Sequence, residues 1–350
     1  MPTFNPEMLI LAREVIGITQ SELAARVGIS QAEVSKIESG IRTPSEDQAK
    51  VFAECLQCVL EFFYVSDSIK NFSTACVYHR KRQSTTQGVL NRLLAVVNKR
   101  RIQVKRLLLA AELPDNLFPR MDVDEFRGGP AEIARALRAA WKLPNGPVQH
   151  LTKAVEDAGG IVLRCDFGTN KVDAVSQWFP DAPPLFFVNN SIPTDRMRFS
   201  LAHEIGHVVM HQLPTGDMER EADRFAAEFL MPAALIKGPL SYVSLPKLAA
   251  LKPYWKVSMA ALLYRAAELG TIPERTKNYL WFRMGQAGYK SKEPVELAPE
   301  LPALLSEVID LHRDGLGYSV SDLAKLLVTT ESEVRSVFLP QGPGLRLVSS

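Results

Sequence analysis

Apolar positions in the first 64 residues recur at helical spacing, and glycines interrupt them. An apolar stripe from Leu9 to Val15 ends at Gly17, a residue type that commonly terminates helices. Two capping boxes follow, Thr19–Glu22 and Ser30–Glu33, and Gly28 separates the helices that they open. The pattern predicts two short helices joined by a tight turn, which is the helix-turn-helix layout.

The second of these helices would present its first turns to DNA. Its exposed positions are predicted to be Gln31, Ala32, Ser35 and Lys36. The start of the second helix of a helix-turn-helix enters the major groove, where Gln can pair with adenine and Lys can reach guanine or a phosphate. These residues therefore predict contacts with double-stranded DNA.

The segment LAREVIGITQSELAARVGISQAEVSKIESGIRTPS resembles the Xre/Cro family of repressors. The resemblance implies that Gln20 touches a phosphate and that the four exposed residues face the bases. It also implies an internal ion pair between Arg13 and Glu38. Helix-turn-helix repressors usually read paired half-sites, so we expect a homodimer.

Further along the chain the pattern changes from helical to mixed. Helical spacing at 131–141 and 148–158 gives way to three β-rich stretches, at 161–163, 174–179 and 185–188. The third stretch leads directly into another helix, so we expect a small sheet beside it. Leu185–Val188 is our candidate for an edge strand that holds an extended peptide substrate.

The helix after these strands carries Ala-His-Glu-Ile-Gly-His at 202–207. His203 and His207 are four residues apart and can both bind one metal ion. Zn²⁺ binds imidazole nitrogen at about 2.0–2.1 Å and, in catalytic sites, keeps one position for water. Glu204 can border the site without binding the metal, which suits a general base for the activated water.

A second predicted helix, from 219 to a stop at Pro232, supplies a third ligand. Glu219 can bind the ion, and Asp223 on the same face can accept a hydrogen bond from a ligating imidazole and set its tautomer. Glu221 points about 200° away from Glu219. His211 lies about 12 Å along its helix from His203, so we expect it at the helix end or beside a ligand.

This constellation resembles the ImmA/IrrE family of metallopeptidases, which are thermolysin-like (gluzincin) enzymes with a minimal fold. The resemblance extends over about 129–284 and includes FSLAHEIGHVVMH and EREADRFAAEFLMP. It implies zinc bound by His203, His207 and Glu219, with Glu204 as the base and Asp223 as the support of an imidazole. Such enzymes usually stabilise the oxyanion with a His, Tyr or Arg, for which the candidates are Tyr254, Tyr264 and Arg265.

The net charge of +2 hides a stretch without acidic residues between Asp67 and Glu112. Ten basic residues fall there: Lys70, Arg80, Lys81, Arg82, Arg92, Lys99, Arg100, Arg101, Lys105 and Arg106. The stretch either attracts a polyanion such as DNA or forms a helical face that pairs with acids elsewhere.

Cysteine content and hydropathy indicate the compartment. Four cysteines in 350 residues make no disulfide framework, and no run approaches the roughly 20 apolar residues of a membrane span. Cys55, Cys58, Cys76 and His79 have the spacing of a structural zinc site, but the first two fall in an apolar run that favours buried core thiols. We expect a cytoplasmic protein, associated with the nucleoid when DNA is bound.

The tail repeats an earlier pattern. Gly317–Arg335 has the spacing of Gly17–Lys36, with Ser319 at the position of Thr19. It is either a second helix-turn-helix or winged module, or a unit for dimerisation or packing, and we favour the latter.

The sequence thus predicts a multidomain chain, with an all-α helix-turn-helix domain, an α+β minimal gluzincin-like metallopeptidase domain and a mainly helical C-terminal region. The expected boundaries are a helix-turn-helix domain at 1–66, a basic helical connector at 67–128, a zinc peptidase domain at 129–288 and a C-terminal domain at 289–350.

The expected function is transcriptional regulation combined with zinc-dependent proteolysis. The peptidase would cleave the protein itself or a partner Xre-type repressor or antitoxin, as in stress-response or toxin–antitoxin circuits. The alternative is a non-proteolytic Xre-type transcription factor or antitoxin whose peptidase-like domain is sensory or structural. The presence of Glu204 counts against this alternative, because a structural zinc site needs no base and is normally closed by four protein ligands.

Overall fold

The computed structural model describes residues 3–70, 86–179, 182–212 and 216–339. The chain forms two compact units. The helical unit comprises residues 1–71, 85–113 and 304–350, and the sheet unit comprises 72–84 and 114–303. The mainly helical, multidomain α+β architecture predicted from the sequence is confirmed. The predicted domain boundaries stay predictions.

The helical unit is built from short helices and one long one. Its α-helices are Pro6–Ile16, Gln20–Val27, Gln31–Glu38, Glu46–Cys55, Gln87–Leu107, Leu304–Asp310, Val320–Leu327 and Glu331–Glu333. Short 3₁₀ segments at Leu60–Tyr64 and Leu108–Ala110 and π turns at Leu311–Gly315 and Val334–Phe338 complete it.

The helix-turn-helix forms where the capping residues predict it. Thr19 and Glu22 make a reciprocal capping box, and the Ser30 side chain accepts a hydrogen bond from the Glu33 backbone N–H. Gly28 ends the first helix with φ +74°, in the left-handed region that glycine enters without a Cβ clash. Local chemistry therefore sets both helix ends.

The long helix Gln87–Leu107, which we call the spine helix, carries six of the ten basic residues of the basic stretch. Lys99 Nζ and Arg100 Nη1 lie 2.7 and 2.6 Å from the carboxylate of Glu333. Arg101 donates to the Ser68 carbonyl oxygen and lies 3.5 Å from Asp67. These described basic residues therefore pair within the helical unit, as the second interpretation of the basic stretch expected.

The tail adopts a helix-turn-helix layout and packs into the helical unit. Ser319 caps Val320–Leu327 with a capping box, and Val328 takes φ +50° at the turn. Thr330 caps the next helical segment by accepting from the Glu333 backbone N–H. The apolar face of this layout, including Leu323 and Phe338, is buried against the end of the spine helix.

The sheet unit surrounds a small mixed sheet. Its α-helices are Gly129–Ala140, Leu151–Asp157, Thr194–Met210, Met218–Leu230, Ala233–Ile236, Leu245–Trp255, Met259–Glu268 and Glu274–Gln286, with a 3₁₀ turn at Val123–Glu125. Its strands are β1 (Ile161–Cys165), β2 (Ala174–Gln177) and β3 (Leu185–Asn189).

The strand order β1-β3-β2 corrects one prediction. β3 pairs parallel with β1 and antiparallel with β2, so Leu185–Val188 lies in the centre of the sheet and is not an edge strand. The physical reason is visible in the sequence, because all five residues of β3 are buried and its first four are apolar, as in strands covered on both faces. The edge strand on this side is β2.

Two helices of the sheet unit pack closely and position the candidate site. We call Thr194–Met210 the histidine helix and Met218–Leu230 the carboxylate helix. A Cβ added at Gly206 would come within 3.0 Å of the Phe225 ring and 3.3 Å of the Ala222 Cα. Gly206 and the buried Ala222 therefore allow the helix axes to approach. No helix in the described parts of the chain is long and apolar enough to cross a membrane.

Candidate metal centre and DNA-binding surface

Three donor atoms meet between the histidine helix and the carboxylate helix. His203 Nε2 lies 3.0 Å from His207 Nε2 and 3.2 Å from Glu219 Oε2, and His207 Nε2 lies 3.4 Å from Glu219 Oε1. One ligand atom from each of the three residues lies within 4.8 Å of the other two. Within the described ranges, this is the one such group of His, Cys, Asp and Glu side chains.

The spacing and chemistry of these donors suit a zinc ion. Ligands at about 2.0–2.1 Å in a tetrahedral arrangement lie about 3.3 Å apart. The three observed separations are 3.0, 3.2 and 3.4 Å. Two imidazoles and one carboxylate are also a donor set of catalytic zinc sites, which leave the fourth position to water or substrate. The three residues are therefore suited to bind a zinc ion.

The electrostatics of the cluster favour a cation. Burial lowers the pKa of His203, but the Asp223 and Glu219 carboxylates outweigh burial and raise this pKa to about 10. Burial raises the pKa of Glu219, but its hydrogen bonds to the His203 and His207 imidazoles bring it far below its ordinary value. The carboxylates thus hold positive charge at this position, as they would hold a divalent cation.

Each histidine of the pair has a partner at its other ring nitrogen. His203 Nδ1 lies 2.8 Å from Asp223 Oδ1. His207 Nδ1 lies 2.9 Å from His211 Nδ1, and His211 Nε2 lies 2.9 Å from Glu221 Oε2. His211 directly follows the last residue of the histidine helix, and its imidazole contacts the imidazole of His207.

Glu204 is buried beside the sheet. Its Oε2 accepts a hydrogen bond of 2.6 Å from the Ser176 hydroxyl in β2. The residue is 6% exposed, so β2 and the histidine helix shield it from bulk water. A carboxylate held in this way next to an edge strand is suited to accept a proton from a water that attacks a peptide lying along that strand.

The three oxyanion candidates occupy different surroundings. Arg265 is buried in an ion pair with Glu228 and donates to the Met231 carbonyl oxygen, so its guanidinium is engaged in the core. Tyr254 and Tyr264 are 60% and 50% exposed. Tyr264 and Arg265 line a cavity of about 1040 Å³ that Asp223 also borders. The cavity favours Tyr264 over Tyr254, and the ion pair of Arg265 with Glu228 favours Tyr264 over Arg265.

The helix-turn-helix presents the predicted DNA-contacting residues at its surface. Gln31, Ala32 and Lys36 are exposed and Ser35 is half-buried. Gln20 donates to Glu38 at 2.7 Å and accepts from the Gln31 amide at 2.8 Å, so the two glutamines orient each other.

Beneath this surface lies the predicted internal ion pair. Arg13 Nε and Nη2 lie 2.6 and 3.1 Å from the two carboxylate oxygens of Glu38. Both residues are buried. The ion pair implied by the resemblance is therefore confirmed, and through Glu38 it also anchors Gln20.

The two described cysteines of the candidate zinc set pack as core residues. Cys55 and Cys58 pack against the core of the helical unit, and burial raises the pKa of Cys58 to about 12. This packing agrees with the expectation of core thiols. Cys76 and His79 lie outside the described residues.

Two models of known protein families match segments of the chain that contain these residues. Residues 155–267 match the model of peptidase family M78, described as the IrrE N-terminal-like domain. Residues 9–63 match a helix-turn-helix family model. Both predicted resemblances are thus confirmed. The chain thus contains a segment similar to helix-turn-helix domains, followed by a segment similar to the IrrE N-terminal-like domain of peptidase family M78. The comparison with curated proteins found no match.

Sequence reasoning missed two contributors to the centre. Ser176 was placed on a strand but not connected to Glu204, 28 residues later in the chain. Helical spacing places Glu221 away from Glu219, but it does not predict the contact of Glu221 with His211. His211 at the end of the HExxH helix was the available signal, because a buried imidazole requires hydrogen-bond partners.

Proposed function

We propose that this protein is a DNA-binding regulator that carries a zinc-dependent endopeptidase, and that the peptidase cleaves the protein itself or a partner repressor or antitoxin. The observation that carries the proposal is the placement of Glu204, held by Ser176 of an edge strand, next to the His203–His207–Glu219 donor set. A structural zinc site requires no base and is normally closed by four protein ligands.

In this mechanism His203, His207 and Glu219 would hold the zinc ion. Zinc, when bound, would polarise the scissile carbonyl and lower the pKa of a coordinated water toward 7. Asp223 keeps the His203 Nε2 lone pair directed at the ion. The β2 edge offers backbone hydrogen bonds to an extended substrate.

Glu204 moves the protons. Its carboxylate accepts a proton from the attacking water and afterwards delivers it to the amide nitrogen that leaves. The C–O bond forms first, which places negative charge on the former carbonyl oxygen, and the C–N bond breaks once the nitrogen has received this proton. The second proton of the water also ends on the leaving nitrogen, so the products are a carboxylate and an ammonium group. Ser176 holds Oε2 of Glu204, which keeps the carboxylate in one orientation during both transfers. Tyr264 is the candidate for stabilising the oxyanion.

On the DNA side, Gln31, Ala32, Ser35 and Lys36 would face the bases and Gln20 a phosphate. We propose a homodimer on paired half-sites. Light scattering of the protein with and without a cognate duplex tests this assembly.

The test of the peptidase uses three full-length proteins: wild type, Glu204→Gln and Glu274→Gln. Glu274 is a surface carboxylate 65% exposed, so its variant is an isosteric control. We expect one zinc per chain in all three by elemental analysis. We expect cleavage by wild type and Glu274→Gln, either of the protein itself or of Xre-type repressors encoded nearby, as detected by intact mass.

The outcomes separate the alternatives. Cleavage by Glu204→Gln would show that another group is the base. Zinc without cleavage of any of these proteins would favour the sensory or structural alternative. A protein that binds no zinc would overturn the ligand assignment.

A further inference from the structure

The buried pair His211 and Glu221 lies behind one of the two imidazoles of the centre. The His211 side chain is 1% exposed, and its two ring nitrogens contact different groups. Nδ1 lies 2.9 Å from His207 Nδ1, and Nε2 lies 2.9 Å from Glu221 Oε2. A continuous line of polar contacts therefore runs from the carboxylate helix through His211 to His207.

If both imidazoles are neutral, only one placement of their protons satisfies the contacts of His211 and His207. A carboxylate oxygen is an acceptor, so Glu221 requires the proton of His211 on Nε2. Neutral His211 then has a lone pair on Nδ1, and this nitrogen must accept from His207. His207 is therefore protonated on Nδ1, and its Nε2 carries a lone pair directed at His203 Nε2 and Glu219.

The two histidines of the centre are thus oriented by different means. His203 donates directly to Asp223, whose side chain is 60% exposed. His207 is held through an intervening imidazole whose carboxylate partner is 24% exposed. The second arrangement excludes water from the back of His207, so no solvent molecule substitutes readily for the missing partner.

We propose that Glu221 and His211 form a positioning relay that sets the tautomer and orientation of His207 for metal binding. The proposal rests on the proposed zinc site. Neither residue touches the reacting atoms in this account. Groups that orient a metal-ligating histidine typically contribute about 10- to 100-fold in metal affinity.

The first experiment measures zinc affinity of the metal-free full-length protein by competition with a chromophoric chelator. We expect His211→Leu to weaken zinc binding about 10- to 100-fold and Glu221→Ala to weaken it about tenfold. His211→Gln, whose side-chain oxygen can accept from His207 Nδ1, should recover part of the loss. Arg220→Ala, a neighbour whose side chain is 87% exposed, is the control and should bind zinc as wild type does.

If His211 and Glu221 had a purely structural role, their substitution would lower the stability of the metal-free protein instead of its zinc affinity alone. All four tryptophans, at 141, 178, 255 and 281, lie in the sheet unit, so their fluorescence reports its unfolding without metal. A relay predicts a loss of zinc affinity that exceeds any loss of stability in the metal-free protein, together with recovery in His211→Gln. Equal zinc affinity in wild type and His211→Leu would overturn the proposal.

A second measurement needs no variant. Histidine-selective ¹⁵N NMR of the zinc-loaded wild type distinguishes the two neutral tautomers. We expect His207 protonated on Nδ1 and His211 on Nε2, and the opposite tautomer of His211 would overturn the relay. If wild type binds zinc and cleaves while the variants bind equally well, the relay fails and the proposed function stands. If wild type binds no zinc, the proposed function fails and the relay with it.

Discussion

Residues 19–38 and 319–338 have the same helix-turn-helix layout, displaced by 300 positions. Each begins with a capping box, runs for eight helical residues, turns through a left-handed residue and opens the next helix with a Ser or Thr cap. Both bury Leu-Ala at the same two positions, 23–24 and 323–324. The backbone and the core are therefore alike.

The surfaces of the two layouts differ. Where the first has Gln31 and Lys36, the second has Glu331 and Ser336. Glu333 of the second is engaged by Lys99 and Arg100 of the spine helix. A polyanion would be repelled by the acidic residue and attracted by the lysine. Capping and core residues therefore specify the layout, while a few surface residues differ between the segment proposed to bind DNA and the segment that packs within the helical unit.

The largest expected effect is at a buried position that carries a charge in one layout only, Glu38 in the first and Phe338 in the second. Glu38→Ala leaves the buried Arg13 guanidinium without its carboxylate, and removing one partner of a buried pair costs about 3–5 kcal/mol. We expect this loss in the free energy of unfolding of the helical unit, measured on the full chain by hydrogen exchange of peptides from residues 8–38.

The control replaces both partners with apolar residues. Arg13→Met combined with Glu38→Leu should be much more stable than Glu38→Ala, because no buried charge remains unpaired. If Glu38→Ala alone is as stable as wild type, the ion pair is not needed for the first layout.

The next prediction tests DNA recognition at equivalent positions. Lys36→Glu should weaken binding to a duplex selected by the wild-type protein from a random library by about 10- to 100-fold, because a base or phosphate contact becomes a repulsion. Ser336→Glu, the matched change in the second layout, should alter affinity less than about twofold. Fluorescence anisotropy at a stated salt concentration measures both, and equal losses would show that the second layout also contacts DNA.

A third prediction compares two glutamates at equivalent positions. Glu333→Gln should destabilise the helical unit by about 2 kcal/mol, since Lys99 and Arg100 lose a mostly buried partner. Glu33→Gln should cost less than about 1 kcal/mol, since its partner Arg42 is 47% exposed. Hydrogen exchange of the same unit checks both, and similar costs would contradict the assigned packing role.

The Glu333 contact also predicts a pH dependence. Burial raises the pKa of Glu333, but Lys99 and Arg100 outweigh burial and bring it to about 2. Because the folded-state pKa lies below the ordinary value of 4.5, the contribution is complete above about pH 4.5 and is lost as pH falls toward 2. The stability difference between wild type and Glu333→Gln should therefore shrink between pH 5 and pH 3.

The smallest effect concerns the turn residue of each layout. Gly28→Ala should cost about 1 kcal/mol, because φ is +74° and an added Cβ would meet no neighbour that compensates. Val328 takes φ +50° at the equivalent turn of the second layout, and its side chain is buried in the core of the helical unit. Thermal unfolding followed by circular dichroism checks the change, and an unchanged midpoint for Gly28→Ala would contradict the strain argument.

Several features of the site were within reach of sequence reasoning because they depend on helical geometry. His203, His207, Glu219 and Asp223 lie at i, i+4 spacings, and the structure brings all four together. The edge strand was not within reach. A short apolar run such as Leu185–Val188 is compatible with either a central or an edge position, and pairing with β1 on its other side decided the question.

The sequence by itself determined the elements whose causes are local: helix ends at capping residues, turns at glycines, and pairs of side chains one helical turn apart. The tertiary structure alone decided the contacts between distant residues. Glu333 reaches the spine helix 233 residues away, Ser176 reaches Glu204, and Glu221 reaches His211 across a helix boundary. Such contacts depend on how helices and strands pack, and packing is set by the summed burial of many side chains, which no local spacing records.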